Sequence, residues 1–282
     1  MAKILEKRVI RKPDVFYFRI EAPRLSRVAR PGQFVMVRVN SCGERIPLSL
    51  ADISPDAGSI SLIVMAVGKT TSEMSLLEEG QELLDLCGPL GRPTEIAYYG
   101  HVVLVGGGFG VAPLYPIGRE LKRAGNRITT IIGARSADLI IYREEMTTVS
   151  DRVVITTNDG SEGIAGFVTD GLKEVLVADR PDRVMAVGPS VMMKAVSELT
   201  RPFKVKTIVS LNPIMVDGTG MCGGCRVVVG GKVLFACVDG PDFDGHLVDW
   251  QRLIRRQQTY KEEERLSFEQ WKRLHADRIL TE

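Results

Sequence analysis

The chain is short of histidine, of one-sided charge and of long apolar runs. Only three histidines occur in 282 residues, His101, His246 and His275. None sits in a context that would pair it with a nucleophilic serine and an orienting carboxylate, which excludes serine-hydrolase chemistry. Lysine and arginine number 37 against 35 aspartates and glutamates, a net charge of +2. That balance gives no electrostatic ground for nucleic acid or an anionic membrane as a partner. No apolar stretch approaches the ~20 residues needed to span a bilayer. The opening residues, Met-Ala-Lys-Ile-Leu-Glu-Lys-Arg, are interrupted by charge and do not read as a secretion signal. Cysteines number five, an odd count with three of them clustered. This suits a reducing, cytoplasmic setting and a metal site better than a disulfide framework. Cys42 and Cys87, away from the cluster, are expected to be small buried hydrophobes. No internal repeat is visible.

What is present is an ordinary globular composition, 44% hydrophobic and 26% charged, with length enough for two cored domains and a small appendage. From residue 1 to about 97 the pattern is short and β-like. Residues 15–20, 34–39 and 60–65 read as strands, with Pro31-Gly32 and the 54–58 stretch as turns. Near-even strand spacing predicts a small antiparallel barrel. One helix is expected here, over 72–79, capped by the hydroxyls of Thr70-Thr71-Ser72. In Arg45-Ile46-Pro47-Leu48-Ser49, strand alternation sends Arg45, Pro47 and Ser49 to one face. Arginine suits a phosphate there, and a serine hydroxyl suits a ring nitrogen. Val67-Gly68-Lys69-Thr70-Thr71 runs from a strand into a helix N-terminus, where backbone N–H groups, hydroxyls and an ammonium converge on an anion. Gly88-Pro89-Leu90-Gly91 is a tight turn. Each segment alone also fits ordinary turns and surface charge.

From 98 to 209 the periodicity changes. A buried-strand run, 101–105, leads into Gly106-Gly107-Gly108-Phe109-Gly110-Val111-Ala112-Pro113, then a helix over 114–123, then a strand over 127–133. Strand, glycine-rich turn, helix, strand is the context in which such a turn carries a pyrophosphate in a doubly wound α/β domain. The spacing departs from G-x-G-x-x-G and points to a variant of that domain. Further strands are expected over 153–157, 183–187 and 205–209, and Gly188-Pro189-Ser190 opens a helix over 191–199. Arg135 follows the second strand of this unit, where an acidic side chain would read the ribose of NAD and an arginine would suit a 2′-phosphate; Glu144 and Glu145 lie close in sequence.

The segment 210–246 carries the metal signal. Four residues separate Asp217 from Cys222, two separate Cys222 from Cys225, and eleven separate Cys225 from Cys237. Plant-type two-iron clusters use C-x4-C-x2-C and a distant fourth cysteine. Here Asp217 takes the first position, and a carboxylate is a harder but acceptable ligand to iron. Zinc on the three cysteines with Asp217 or His246 is the competing reading. A turn role alone for Asp217 is another. The last segment, 247–282, is rich in helix formers. Leu247, Val248, Trp250, Leu253 and Ile254 form an apolar stripe. Leu266, Phe268, Trp271 and Leu274 are candidates to pack on the parent domain or a partner.

Taken in order, Pro31-Gly32-Gln33-Phe34, the R-x-P-L-S strand, Gly68-Lys69-Thr70-Thr71, Gly88-Pro89-Leu90-Gly91, the G-G-G-x-G-x-A-P turn and the cysteine-bearing segment resemble the ferredoxin–NADP reductase superfamily over residues 1 to 245. Within it the chain resembles the iron–sulfur branch. That branch includes the dihydroorotate dehydrogenase B electron-transfer subunits and the small subunits of bifurcating NADH-dependent reduced ferredoxin:NADP oxidoreductases, also called sulfide dehydrogenases. The resemblance implies an FAD-binding barrel over 1–97, an NAD(P)-binding domain over 98–209, a [2Fe-2S] segment over 210–246 and a helical tail over 247–282. It implies FAD contacts from Arg45, Pro47, Leu48, Ser49, Gly68, Lys69, Thr70 and Thr71. It places NAD(H) or NADP(H) against Gly107, Gly108, Gly110, Asp159, Gly188 and Pro189, with the cluster on Cys222, Cys225 and Cys237. The dihydroorotate subunits normally carry four cysteines, whereas Asp217 in the first position is expected of the bifurcating branch. The implied activity is electron transfer from NAD(P)H through flavin and cluster. The implied partner is a larger iron–sulfur flavoprotein subunit, with ferredoxin reached through it.

Overall fold

The computed structural model describes residues 2–11 and 14–275. The first half folds as two antiparallel sheets. One orders Asp52–Ser54, Ser59–Met65, Val15–Glu21, Ala2–Arg11 and Glu82–Leu83; the other orders Arg45–Ser49, Phe34–Arg38 and Asp85–Leu90. Alternation on Val15–Glu21 turns Phe16, Phe18 and Ile20 inward, where they meet Val35, Val37, Leu50, Ile60 and Leu62. The strand Ala2–Arg11 was not foreseen. Its charges break any apolar alternation, and only Ala2 and Ile4 are buried. Pairing with Val15–Glu21 on one side and Glu82–Leu83 on the other forms it.

The single helix expected over 72–79 lies at Lys69–Ser75, and a second, Pro23–Val28, precedes it. Thr71 Oγ1 accepts from the backbone of both Val67 and Gly68 at 3.1 Å, which starts the helix three residues earlier than the hydroxyl run suggests. Cys42 and Cys87 are exposed, not buried. Leu86 packs on the barrel core, and strand alternation then turns Cys87 outward.

The second half is a seven-stranded sheet in the order Ile164–Ala165, Arg152–Thr157, Arg127–Ala134, His101–Gly107, Arg183–Val187, Lys206–Ser210, Asp242–Asp244. All pairs are parallel except the last. Both faces are covered, as a parallel sheet requires. Val102 and Leu104 pack with Leu114, Ile117 and Met146 from helices Val111–Arg123 and Arg143–Val149. Val103 and Val105 pack with Leu172, Val175, Met193 and Val196 from helices Val168–Ala178 and Ser190–Thr200. The chain winds outward from His101–Gly107 in both directions. The strand order therefore reverses between that strand and Arg183–Val187, where such sheets bind ligands.

The segment after Ser210 forms a hairpin, Arg226–Val229 with Lys232–Phe235, a short helix Ala236–Asp239, and the strand Asp242–Asp244. Two helices follow in the tail expected over 247–282, Trp250–Arg256 and Lys261–Leu274; its last part, 276–282, lies outside the described residues. Leu247 is exposed, while Val248, Trp250 and Leu253 are buried. The last helix packs on Lys69–Ser75 of the barrel and buries Trp271, leaving Leu266 and Leu274 exposed.

Candidate cofactor cleft and cysteine loop

A cleft of about 1210 Å³ opens between the barrel and the strand C-termini at the switch point. Pro47, Leu48 and Ser49 form its barrel wall, and Gly107, Gly108, Gly110, Arg135, Gly188 and Pro189 form its opposite wall. Two glycines show why the turn needs them. Gly108 has φ +55, and a Cβ there would meet nothing within 4 Å, so its backbone lies open to a ligand. Gly110 is the reverse: a Cβ would fall 2.0 Å from the Val187 carbonyl oxygen, so the turn closes directly onto the neighbouring strand. The charged residues lining the cleft, among those described, are Arg11 and Arg135. A mostly apolar cleft with two guanidiniums and no lining carboxylate suits an aromatic, multiply anionic dinucleotide.

Six expected residues are not brought to these walls. Arg45 pairs with Asp85 at 3.3 Å. Gly68, Lys69, Thr70 and Thr71 lie at their own helix start, where Glu44 accepts from Thr70 Oγ1 at 3.2 Å and sits 3.8 Å from Lys69 Nζ. Asp159 accepts from Ser161 N and Oγ at 3.0 and 2.6 Å, and these bonds hold its carboxyl below the usual range. Conversely, Arg11 and Asn212 line the cleft and were missed. Asn212 follows the C-terminus of Lys206–Ser210, a position that the strand-end rule points to. Arg11, held by Asp14 at 2.8 Å, carries no sequence signal of its role.

The cysteine loop brings its donors unevenly together. Cys225 and Cys237 are buried with their sulfurs 3.1 Å apart, while Cys222 is exposed. Asp217 Oδ1 accepts from Thr219 N at 2.8 Å and Oδ2 from Cys222 N at 2.9 Å; these bonds lower its pKa and keep it ionised. Gly224 N–H points at Cys222 Sγ at 3.4 Å, and Cys237 N–H at Cys225 Sγ at 3.5 Å. Burial, with Cys225 alongside, pushes the Cys237 thiol well up. Two buried thiols in contact, with backbone donors aimed at sulfur, form a site where bound iron would take the place of the protons and relieve that cost. Among the described residues no three of these donors stand close enough together to hold a metal ion as they are, but the donor chemistry, a contacting thiol pair with a third cysteine and an ionised carboxylate on the same loop, fits an iron–sulfur group. His246 is engaged elsewhere, with Nε2 3.0 Å from Thr200 Oγ1.

An antiparallel barrel, a doubly wound sheet with a dinucleotide cleft between them, and a cysteine loop on the sheet edge define an NAD(P)H-linked iron–sulfur flavoprotein oxidoreductase subunit. It carries FAD, NAD(P)H and iron–sulfur sites. The family model for the iron–sulfur cluster binding domain of dihydroorotate dehydrogenase B matches residues 212–249, and that for the oxidoreductase NAD-binding domain matches 104–198. The dihydroorotate dehydrogenase B electron transfer subunit homolog of Thermotoga maritima is 52% identical over 265 residues, 94% of each chain. The electron transfer subunit of Desulforamulus reducens is 33% identical over 89% of this chain and the whole of its own. A chain of the NADH-dependent reduced ferredoxin-NADP oxidoreductase structure superposes with a TM-score of 0.91 at 51% identity, over 96% of this chain and 98% of that one. The chain belongs to the family of dihydroorotate dehydrogenase B electron transfer subunits and their homologues. No helix among the described residues is long and apolar enough to cross a membrane.

Proposed function

We propose that this chain is the small subunit of a flavin-based bifurcating NADH/ferredoxin:NADP oxidoreductase, of the sulfide dehydrogenase type. It would pass electrons between NAD(P)H, FAD and a [2Fe-2S] cluster to a larger iron–sulfur flavoprotein subunit, with ferredoxin served by that subunit. The observation that carries this reading is Asp217 in the first ligand position beside three cysteines. It is supported by the likeness to the NADH-dependent reduced ferredoxin-NADP oxidoreductase chain along nearly the whole length.

The chain's own residues would supply position and charge. The open backbone at Gly108 and the helix Val111–Arg123 behind it receive the nucleotide's phosphates, and Arg135 stands ready for a 2′-phosphate. Pro47, Leu48 and Ser49 would hold the flavin from the barrel side, and the apolar walls would exclude water from the cleft. When bound, the flavin and cluster supply the change from two-electron to one-electron transfer, which no side chain here can perform. Asp217, Cys222, Cys225 and Cys237 would hold the cluster.

A second reading, an electron-transfer subunit that serves dihydroorotate oxidation, is favoured by the family model over 212–249. The two separate on the native complex. The chain is captured with its partner, and NADP reduction by NADH plus reduced ferredoxin is measured alongside orotate-dependent NADH oxidation. Coupled NADP reduction supports the first reading; orotate turnover with no ferredoxin coupling overturns it.

A further inference from the structure

The helix Trp250–Arg256 lies beyond the matched iron–sulfur domain, which ends at residue 249, yet its last turn reaches back to the cysteine loop. Its place is set by the hairpin beneath it. Asp249 N donates to Val228 O at 2.9 Å, Gly230 N to Leu247 O at 2.8 Å, and Val248 bridges Val229. Asp249 then caps the helix by accepting from Arg252 N at 2.9 Å. So anchored, the helix ends with Arg256 Nη2 donating to Gly224 O at 3.1 Å. Gly224 is the residue before Cys225 in the Cys222–Cys225 pair, and its own N–H points at Cys222 Sγ. The next residue, Gln257, donates to Asn212 O and Oδ1 at 2.9 and 3.1 Å, on the wall of the nucleotide cleft.

Three arginines stand around the cysteine segment, and their surroundings differ. Arg92 donates to Val238 O at 3.3 Å, but Asp239 at 3.5 Å offsets its charge, and it is largely exposed. Arg226, beside Gly223, is exposed, so water and salt screen it. Arg256 is half-buried, and among the described residues no carboxylate lies within 4.0 Å of it. A half-buried cation without an anionic neighbour is costly unless a negative group comes near. The neighbour this loop would receive is an iron–sulfur cluster on three thiolates and a carboxylate, which is anionic and gains one further negative charge on reduction.

We infer that Arg256 is a positioning and charge-compensating residue for the cluster: it holds the Cys222–Cys225 loop by its carbonyl and favours the reduced cluster over the oxidised one. The inference rests on the reading of Cys222, Cys225 and Cys237 as the ligand set. Removing the charge should make reduction harder, because a cation placed by the protein acts in a medium that screens less than water. A tenfold change in the one-electron equilibrium is the scale expected, or about 59 mV.

The test is an EPR-monitored redox titration of the full-length protein after iron and acid-labile sulfide assay, for wild type, Arg256→Gln, Arg256→Lys and Arg255→Gln. Arg255, on the exposed side of the same helix end, controls for net charge. The expected result is a more negative potential in Arg256→Gln, with Arg256→Lys and Arg255→Gln near wild type. Equal potentials in all four loaded proteins would overturn the inference. Loss of the cluster from Arg256→Gln but not Arg256→Lys would also support it, since the charge is then needed to retain the cluster. Loss from Arg256→Lys as well would overturn it in favour of a purely steric contact. Wild type without labile sulfide would defeat the ligand assignment itself, a different outcome from a loaded protein whose potential ignores Arg256.

Discussion

Thr94 Oγ1 donates to Asp242 Oδ2 at 2.6 Å, tying the segment that leaves the barrel to the outermost strand of the nucleotide-domain sheet. The carboxyl is buried, its Oδ1 has no hydrogen-bond partner among the described residues, and burial pushes its pKa up to about 6, against the pull of Thr94 and Ser210. The sign follows from linkage. A carboxyl whose folded pKa exceeds its unfolded one binds a proton more tightly when folded, so stability falls as pH rises from about 4 to about 6 and stays lower above. Asp242→Asn should abolish that fall and equal or exceed wild-type stability at pH 7, by at most about 3 kcal/mol. Denaturant unfolding of both proteins between pH 4 and 8 checks this; parallel curves would dismiss the role of Asp242.

Gly110→Ala places a methyl against the Val187 carbonyl, a backbone atom that cannot swing aside. Overpacking of this kind costs about 1–3 kcal/mol, and the turn must open to relieve it. A lower Tm together with weaker nucleotide binding by titration calorimetry is expected. Unchanged affinity would show that the turn is not the phosphate cradle.

Asp217 has two roles to separate. As a turn acceptor it holds Thr219 and Cys222 backbone; as a ligand it would bind iron. Asp217→Cys should retain a cluster with an altered EPR signature, since thiolate replaces carboxylate. A signature identical to wild type would leave Asp217 as a turn residue alone.

Arg135 lines the cleft with no carboxylate partner among the described residues. If it reads a 2′-phosphate, Arg135→Ala should weaken NADPH about tenfold or more and leave NADH nearly untouched, the scale of one charge-assisted contact. Equal rises in steady-state KM for the two nucleotides would remove that assignment.

Legibility in the sequence tracked how locally each feature is encoded. The strand Arg183–Val187 and the glycine turn could be read directly, because a doubly covered parallel strand is a plain apolar run and the turn's glycines answer to nearby sterics. Ala2–Arg11 could not, since its pairing partners rather than its own pattern make it a strand. Cys87 was misjudged from residue type, although Leu86 beside it held the alternation that turns it outward. The cysteine spacing showed the loop, but Arg11 and Arg256 reach their sites through tertiary contacts that no local window contains.

The antiparallel strand Asp242–Asp244 closes one side of the parallel sheet, pairing with Lys206–Ser210, and it comes from the cysteine segment. The nucleotide half is therefore unfinished when chain synthesis passes residue 210. Its last strand presents open backbone donors and acceptors, a template for pairing with another chain, until the cysteine segment folds back. Cutting the protein between its nucleotide and cysteine segments would not yield two independent modules. It would leave one piece with a raw edge, and the sequence that carries the metal-binding residues is also what keeps that edge from aggregating.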